Sequence, residues 1–365
     1  MCRLVIDTGA LTRNLEKLRH YTSARIIAVV KGGGYGLGLA PYAQWLTAQG
    51  VDMLAVSSAA EAAALRDAGI TADVLMLSST ALPEEVSALL ARNVILTVGS
   101  FDAAHTVSAV AAQQGVTARV HIKLDTGMGR CGFLPGDVRE AAALLRFLPA
   151  LRVEGVFTHF ADAANRRRTA RQYRRFTAGV RILRTAGIDP GLRHVCASTA
   201  FLRYPEMHLD AVRLGSALLG RLSVPDTLGL EKVGWLETRV AELKTLPAGW
   251  PVGYTGAYRT RRETRLALLP VGYTSGIGVT EEPNALRLRD RLRRVLHAGR
   301  SLLHTDGLTV QINGRSCPVR GVVAAAQLEA DVTELPCAVG DTVRVEVRPK
   351  FVRSEERRVG KECRS

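Results

Sequence analysis

Short apolar runs alternate with longer stretches rich in Ala, Leu and Arg through the first two-thirds of the chain. Each run is nearly continuous in apolar residues, as expected of strands buried on both faces of a parallel sheet. The distance from one run to the next leaves room for one helix. The eight runs are Arg25–Lys31, Met53–Ser58, Asp73–Ser79, Val94–Ser100, Ala118–Thr126, Arg152–Phe160, Leu192–Ser198 and Ala211–Ser216.

Eight successive strand–helix units predict an α/β fold, a TIM (β/α)8 barrel over residues 8–225. A doubly wound sheet is the alternative, and it requires a Gly-rich phosphate loop with an acidic residue about 20 positions later. The candidate loop is Gly32–Gly38, and Glu61 lies further along than that spacing. The barrel is therefore favoured.

The pattern changes after residue 225, where helical periodicity fades and short alternating strands appear between Gly and Pro residues. A chain of 365 residues also suits one large domain and a smaller one. We predict a mostly β C-terminal domain over residues 226–352, joined by residues 1–7. Residues 353–365 are charged and aperiodic, which predicts a disordered or foreign tail outside the fold. The predicted strands are Arg239–Lys244, Thr264–Leu269, Leu308–Ile312 and Thr342–Val347.

The chain is strongly basic, with 49 Lys and Arg against 34 Asp and Glu and a net charge of +15. Nucleic-acid binding is one interpretation of such a charge. The basic residues are scattered, however, and aromatic residues make up only 5% of the chain, so stacking platforms for bases are scarce. An Arg-rich solvated surface is the better interpretation, and we expect no nucleic-acid partner.

The sequence gives little indication of a membrane-spanning segment or of redox-active cysteines. No apolar run reaches the roughly 18 residues that a spanning helix needs, so we expect no membrane partner. The six cysteines form no CxxC pair, which is typical of reduced thiols in a cytoplasmic protein. No metal site is predicted.

Function in a barrel of this kind lies at the carboxyl ends of the strands. Lys31 closes the first apolar run, where partial desolvation lowers the pKa of an amine and favours Schiff-base chemistry. A surface lysine just past a strand is the alternative. The three residues Gly32–Gly34 let the backbone approach a ligand closely, and Tyr35 then offers a hydroxyl group to a phosphate.

The fifth run ends in Lys123, and strand alternation places Asp125 on the same face. A buried lysine needs a partner or a modification, so a structural ion pair between the two is one interpretation. Arg130 lies beyond the next glycines, where it can bind a carboxylate through two parallel hydrogen bonds. A site for an anionic group is the other interpretation.

The last three runs supply His159, His194, Ser198 and Arg213. A lone histidine at such a position is usually a packed, hydrogen-bonded core residue. Arginine stays protonated because its pKa is above about 12. Arg213 would therefore donate a hydrogen bond to a pyridine nitrogen without giving that nitrogen a proton.

Taken together, these segments resemble the alanine racemases, pyridoxal 5'-phosphate enzymes built on a barrel and a β-domain. The resemblance covers roughly residues 4–350 and rests on seven blocks in the family's order. The blocks are Ala28–Gly36, Lys123–Arg130, Thr158–Ala161, His194 with Ser198, Arg213 with Gly215, Val252–Tyr254 and Leu269–Tyr273.

The resemblance implies that Lys31 binds the cofactor covalently. Tyr35 and Ser198 would contact the phosphate together with the backbone near Gly215. Arg213 would face the pyridine nitrogen.

His159 would support Arg213 in that role. Arg130 would lie near the phenolic oxygen of the cofactor and take part in substrate binding. Lys123, which is carbamylated in some family members, would orient Arg130. Tyr273 would line the substrate entrance.

By the same resemblance, the chain would interconvert L- and D-alanine, a cell-wall precursor, with two bases on opposite faces of the substrate. Lys31 would serve one face and Tyr254 the other. Tyr254 would reach the site of a partner subunit, so a homodimer is implied. The pKa of a phenol, about 10, must be lowered for this task, and nearby cations such as His159 or Arg213 would do so.

Several positions depart from the family pattern. The loop glycines replace an Ala-Asp-Ala or Ala-Asn-Ala sequence, and residues 321–327 keep only the first and last residues of a Gly-Arg-x-Cys-Met-Asp-Gln block. The late tyrosine that many members place on the phosphate has no counterpart here. These changes concern substrate choice more than cofactor binding. The single-residue departures are Leu37 for His, Ala197 for Asn, Leu214 for Pro and Ser275 for Asp.

Three alternatives remain open. A serine or broad-specificity racemase fits a wider substrate entrance. A non-catalytic pyridoxal-phosphate-binding protein would keep the lysine, although a second domain with Tyr254 argues against it. A decarboxylase of the same barrel type would use a cysteine of the β-domain as its acid, and Cys317 and Cys337 are the candidates.

Overall fold

The computed structural model describes residues 2–279, 307–352 and 357–360. The chain forms two compact units, Gly9–Val233 and Met1–Thr8 with Gly234–Ser365, which are called the barrel unit and the C-terminal unit below.

The barrel unit contains eight parallel strands that close in sequence order, with β2 also paired to β9. This confirms the predicted TIM barrel. The strands are β2 Arg25–Val29, β3 Met53–Val56, β4 Asp73–Ser79, β5 Ile95–Val98, β6 Ala118–Lys123, β7 Leu151–Phe157, β8 Leu192–Ala197 and β9 Ala211–Leu214. The helices are α1 Thr8–Tyr21, α2 Lys31–Tyr35 (a short turn), α3 Leu39–Ala48, α4 Ala59–Asp67, α5 Pro83–Leu90, α6 Phe101–Gln113, α7 Val138–Arg146, α8 Arg166–Thr185 and α9 Ser198–Arg203.

The strands of the barrel are buried on both faces, which explains their continuous apolar sequence. One cluster of buried side chains comes from alternate positions of the strands, because successive side chains point to opposite faces. Its members are Ile27, Val29, Met53, Ala55, Leu75, Ile95 and Ala211. Lys31 keeps the parity of Ile27 and Val29, although β2 itself ends at Val29.

The division between the units falls at Val233, later than the predicted boundary at residue 225. Asn14 of α1 explains the difference. Its side chain donates to the carbonyl oxygens of Leu218 at 3.0 Å and Glu231 at 2.8 Å, and it accepts the N–H of Glu231 at 2.8 Å. These bonds keep the segment after residue 225 on the barrel unit.

The C-terminal unit is mostly β, as predicted. Its sheet has the order β11-β14-β17-β16-β15-β18-β10-β1-β19, and β12 and β13 form a separate pair. The strands are β1 Arg3–Asp7, β10 Trp235–Arg239, β11 Glu242–Leu246, β12 Pro251–Val252, β13 Tyr258–Arg259, β14 Thr264–Leu269, β15 Thr309–Ile312, β16 Arg315–Arg320, β17 Leu328–Asp331, β18 Thr342–Glu346 and β19 Arg357–Gly360.

Two expectations for this unit differ from the structure. The predicted strand Arg239–Lys244 spans a break between two strands, because β10 ends at Arg239 and β11 begins at Glu242. At this break the chain leaves its pairing with β18 and pairs with β14. The segment 353–365 is predicted to lie outside the fold, but Arg357–Gly360 pairs in parallel with β1. The rest of that segment lies outside the described residues. Within the described part of the chain, no helix has the length and apolar character needed to cross a membrane.

Candidate active site

A cavity of about 520 Å³ is lined by residues from the carboxyl ends of the barrel strands. This volume is typical of sites for small molecules and cofactors. The structure therefore brings together all of the predicted site residues that belong to the barrel unit. They are Lys31, Tyr35, Arg130, His159, Ser198, Arg213 and Gly215, with Lys123 beside them.

The loop after Lys31 has an uncommon backbone conformation. Gly32, Gly33 and Gly34 have φ values of 64°, 63° and 68°, in the left-handed region that glycine enters without strain. The triplet therefore does more than allow a ligand to approach, because it forms the turn that carries Lys31.

Tyr35 follows that turn and lies against Gly215. A Cβ atom on Gly215 would come within 2.3 Å of the Tyr35 hydroxyl oxygen, so only glycine leaves room for it. Burial raises the pKa of Tyr35 to about 12, so the phenol is neutral and can donate its proton in a hydrogen bond. The Ser198 hydroxyl oxygen accepts the N–H groups of Gly215 at 3.4 Å and Ala217 at 3.1 Å. Two hydroxyl groups and the backbone around Gly215 thus meet at one wall of the cavity.

Asp125 has a structural role that the sequence analysis missed. Its carboxylate accepts four backbone N–H groups, those of Gly127, Met128 and Gly129 at 2.8 Å and that of Arg130 at 2.9 Å. Burial alone would raise the pKa of Asp125, but these four bonds lower it below its usual value. Asp125 therefore fixes the loop that carries Arg130. An aspartate followed by a Gly-rich segment is a signal for such a turn.

The interpretation of Lys123 and Asp125 as an ion pair is wrong. The Asp125 oxygens are occupied by the loop, and Lys123 Nζ lies 2.9 Å from the sulfur of Cys131. Lys123 is buried and also lies over the ring of Phe157. Its amine therefore belongs to the wall of the cavity that Arg130 and Cys131 form.

Arg213 is 2% exposed, yet it faces the cavity. Its guanidinium donates to the carbonyl oxygen of Thr158 at 2.7 Å and to His194 Nδ1 at 2.8 Å. His159 Nδ1 lies 3.3 Å from Arg213 Nη2. Burial lowers the pKa of Arg213 to about 10, so the group still carries its charge at neutral pH. Among the described residues, no carboxylate pairs with it.

His121, which was not among the residues predicted from the sequence, extends this network into the barrel. Its Nδ1 lies 2.9 Å from His194 Nε2. A Cβ atom on Gly155 would come within 2.5 Å of the His121 ring, so Gly155 makes room for it. Burial lowers the pKa of His121 to about 3 and that of His194 well below its usual value. His121 has the parity of Lys123 within β6, and this alternation could have identified it.

One electrostatic expectation for His159 is wrong. Burial, assisted by the Arg213 charge, lowers the pKa of His159 to about 3. The ring is therefore neutral at physiological pH and does not act as a cation.

The two tyrosines predicted for the site belong to the C-terminal unit and are exposed there. Tyr254 is 70% exposed, and Tyr273 is 55% exposed. The altered segment 321–327 holds Tyr273 through its main chain, because Ala324 O accepts the N–H of Tyr273 at 3.1 Å and Ala325 O accepts that of Thr274 at 3.1 Å. Changes of side chain in this segment leave these bonds in place.

The two cysteines that are candidates for the acid of a decarboxylase are buried in the C-terminal unit. Burial raises the pKa of both Cys317 and Cys337. Cys317 lies in β16 and its thiol contacts the carbonyl oxygen of Arg315 at 3.7 Å. This environment does not suit a thiol that donates a proton to a substrate.

The comparisons with known proteins agree with this geometry. The model of the alanine racemase N-terminal domain matches residues 6–223, and that of the alanine racemase C-terminal domain matches residues 233–350. An alanine racemase of Desulfovibrio desulfuricans is 34% identical over 346 residues, which is 93% of this chain and 87% of that protein. One of Methanococcus maripaludis is 33% identical over 350 residues, again 93% and 87%.

Solved structures give the same result. The alanine racemase of the D-cycloserine producer Streptomyces lavendulae has a TM-score of 0.84 at 27% identity, covering 99% of this chain and 97% of that one. The Bacillus anthracis enzyme with bound L-Ala-P has a TM-score of 0.79 at 28% identity, covering 100% and 96%. The barrel, the β-rich unit and the matched models together establish that this chain is an isomerase that belongs to the alanine racemase family.

Proposed function

We propose that the cavity binds pyridoxal 5'-phosphate through Lys31 and that the chain interconverts the enantiomers of alanine. The observation that carries the proposal is that Lys31, a buried cationic arginine and a polar wall of hydroxyl and N–H groups line one cavity. A Cβ on Gly215 would occupy the space beside the Tyr35 hydroxyl group, so the absence of a side chain there supports a role for this wall in holding a phosphate. When bound, pyridoxal phosphate accepts the electron pair left by deprotonation of the amino acid's α-carbon.

Arg213 would hold the ring nitrogen of the cofactor. It is a donor only, and its lowered pKa of about 10 still keeps its proton in place at neutral pH. The Arg213 guanidinium would therefore hydrogen-bond the nitrogen without protonating it. The neutral His159 and His194 rings accept from Arg213 and keep its plane fixed.

Tyr35 and Ser198 would contact the phosphate together with the backbone of Gly215. Arg130 would bind the substrate carboxylate, since Asp125 fixes the loop that presents it. Lys123 would orient Arg130 from the same wall of the cavity. The bound L-Ala-P of the Bacillus anthracis relative supports a small amino acid as the ligand class.

Racemisation needs one proton acceptor on each face of the α-carbon. Lys31 Nζ would remove or return the proton on one face, and Tyr254 Oη on the other. Tyr254 is largely exposed within its own chain, which suits a residue that serves the site of a partner subunit. We therefore propose a homodimer, with Tyr273 lining the substrate entrance. A cytoplasmic location stays a prediction from the sequence.

The test is conversion of L-alanine and D-alanine by the purified protein with pyridoxal phosphate. Lys31→Ala and Tyr254→Phe should each lower turnover by about a hundredfold or more. Tyr258→Phe is the matched control, because Tyr258 lies in the same segment and packs its ring on Arg320, a contact that phenylalanine keeps. Light scattering of the same samples measures the oligomeric state.

Serine should be assayed beside alanine, since residues 324–326 are all alanine where the family has Cys, Met and Asp. Turnover of serine above that of alanine would indicate that the chain is a serine racemase. Covalent cofactor binding without turnover of either amino acid would contradict a racemase of alanine or serine.

A further inference from the structure

Glu61 lies outside the cavity lining, yet its carboxylate contacts the loop that follows Lys31. Oε1 accepts the backbone N–H of Gly32 at 2.5 Å and that of Gly33 at 3.3 Å. Oε2 accepts the N–H of Ser57 at 3.0 Å and its hydroxyl group at 3.3 Å. One side chain therefore joins the end of β3, the start of α4 and the turn of Lys31.

The turn needs such an acceptor. Its carbonyl oxygens are used by later N–H groups, as in the bond from Gly36 N to Gly32 O at 3.1 Å. The N–H groups of Gly32 and Gly33 have Glu61 as their acceptor. Successive backbone N–H groups in a tight turn form a concave site for an anion, and a carboxylate oxygen fills it here.

Packing does little to fix the turn. A Cβ atom placed on Gly32 or Gly33 would meet nothing within 4 Å, so no atom packs against the Cβ position of either residue. Glycine also loses more conformational freedom on ordering than any other residue. The bonds from Glu61 are therefore the main constraint on these two residues from outside the turn.

Helix capping does not explain the position of this carboxylate. Ser58 caps α4 by accepting the N–H of Glu61 at 3.3 Å. In a capping box, the glutamate would return to the N–H of the cap residue itself. Glu61 instead bonds Ser57 and the glycine turn that follows Lys31.

We propose that Glu61 is a positioning residue, which fixes the direction of the Lys31 side chain by holding the N–H groups of Gly32 and Gly33. The part of this proposal that concerns Lys31 rests on the proposed function. The other part, restraint of the glycine turn by Glu61, is independent of the proposed function.

The first experiment uses hydrogen exchange in the full-length protein without added cofactor. Glu61→Ala should raise the exchange rate of the segment 30–36 by about tenfold or more, since bonds to a charged acceptor are lost. Ser58→Ala is the matched control. It removes the cap of α4 but leaves both bonds to the glycines, so exchange in 30–36 should stay at the wild-type rate. Equal exchange in the two variants would overturn the proposal.

The second experiment uses the protein with pyridoxal phosphate and measures the visible circular dichroism of the bound cofactor and its rate of release. Glu61→Ala should change the sign or intensity of this signal and speed release by about tenfold. Glu61→Gln keeps one acceptor oxygen and should restore most of the signal. Glu84→Ala, in the first turn of α5, should behave as the wild type.

The outcomes separate the two proposals. If the wild-type protein binds no pyridoxal phosphate, the proposed function fails, while the exchange experiment still tests the restraint of the turn. If the cofactor binds and Glu61→Ala and Ser58→Ala give the same dichroism and release rate, Glu61 has only a structural role and the inference is wrong.

Discussion

Arg213 donates a hydrogen bond from Nη1 to His194 Nδ1 at 2.8 Å, and this bond sets the proton positions of the whole buried network. Because arginine only donates, Nδ1 of His194 must accept, and the ring carries its proton on Nε2. That proton is donated to His121 Nδ1 at 2.9 Å. The cation that faces the cavity is thus oriented by a neutral histidine pair inside the barrel.

Replacing His194 by leucine should impair both stability and turnover. The substitution leaves Arg213 Nη1 with only the backbone carbonyl oxygen of residue 194 as its acceptor. It also removes the ring that stacks on Phe157. We expect the free energy of unfolding to fall by about 1–3 kcal/mol and kcat for alanine to fall with it. Denaturant unfolding and the racemisation assay measure the two effects.

His208→Leu is the control for this variant. His208 is also buried, stacks on Phe201 and makes two hydrogen bonds, but it lies away from the cavity lining. It should lose stability without loss of kcat. A His194→Leu enzyme with wild-type kcat would show that the histidine pair is structural only.

Asp125→Asn should disturb substrate binding through the backbone. An amide offers one acceptor oxygen in place of two, so two of the four N–H groups of the loop lose their partner. Arg130 is then no longer fixed, and misplacement of a binding group by about 1 Å can lower kcat/KM by about a hundredfold. Steady-state kinetics with alanine measure the loss.

Asp189→Asn serves as its control, because Asp189 also precedes a glycine and accepts the N–H of Gly191 at 3.0 Å. It should leave kcat/KM unchanged. If Asp125→Asn leaves KM and kcat at wild-type values, the loop does not depend on this carboxylate.

The barrel could be predicted from the sequence because its signal is local. Each strand of the barrel is a short, continuous apolar run, and burial on both faces requires that composition whatever the neighbours are. The C-terminal unit gave a weaker signal. Val240 and Ala241 separate β10 from β11 without Gly, Pro or Asn, so alternation alone predicted one strand across the break.

The candidate site was predictable where function depends on position at a strand end, as for Lys31, Lys123 and Arg213. Contacts between elements distant in the chain were not predictable. The carboxylate of Glu61 accepts a hydrogen bond from a turn 29 positions earlier in the chain. No periodic pattern of apolar and polar residues predicts such a contact. Strand alternation alone could have identified His121, since it lies two positions before Lys123 in β6 and so shares its face.

Gly215→Ala should weaken cofactor binding. The added Cβ would lie 2.3 Å from the Tyr35 hydroxyl oxygen, so the phenol must leave its position beside Ser198. Loss of a hydrogen bond to a charged phosphate group corresponds to about a tenfold or greater rise in Kd. Titration with pyridoxal phosphate, followed by its visible absorbance, measures the change.

Gly136→Ala is the matched control, because a Cβ there meets nothing within 4 Å. It should keep the wild-type Kd. An unchanged Kd in Gly215→Ala would mean that Tyr35 does not contribute to cofactor binding.

The buried histidines should make the protein sensitive to mild acid. Burial lowers the pKa of both His121 and His194 in the folded state, whereas an unfolded histidine titrates near pH 6.5. Below that pH the unfolded chain binds protons at these histidines and the folded chain does not, so the free energy of unfolding falls as the pH falls. Each such histidine contributes a loss of about 1.4 kcal/mol per pH unit, which continues until the folded pKa is reached.

Urea unfolding at about pH 7.5, 6.5 and 5.5 tests this expectation. The free energy of unfolding should change little between the first two values and fall clearly between the last two.

His121→Asn should lower the slope between pH 6.5 and 5.5 by about one proton, because one buried titrating group is lost. His105→Gln, at an exposed position of α6, should leave the slope unchanged. A free energy that stays constant down to about pH 5.5 would mean that the histidine pair accepts protons in the folded protein. In that case the neutral network behind Arg213 would be wrong.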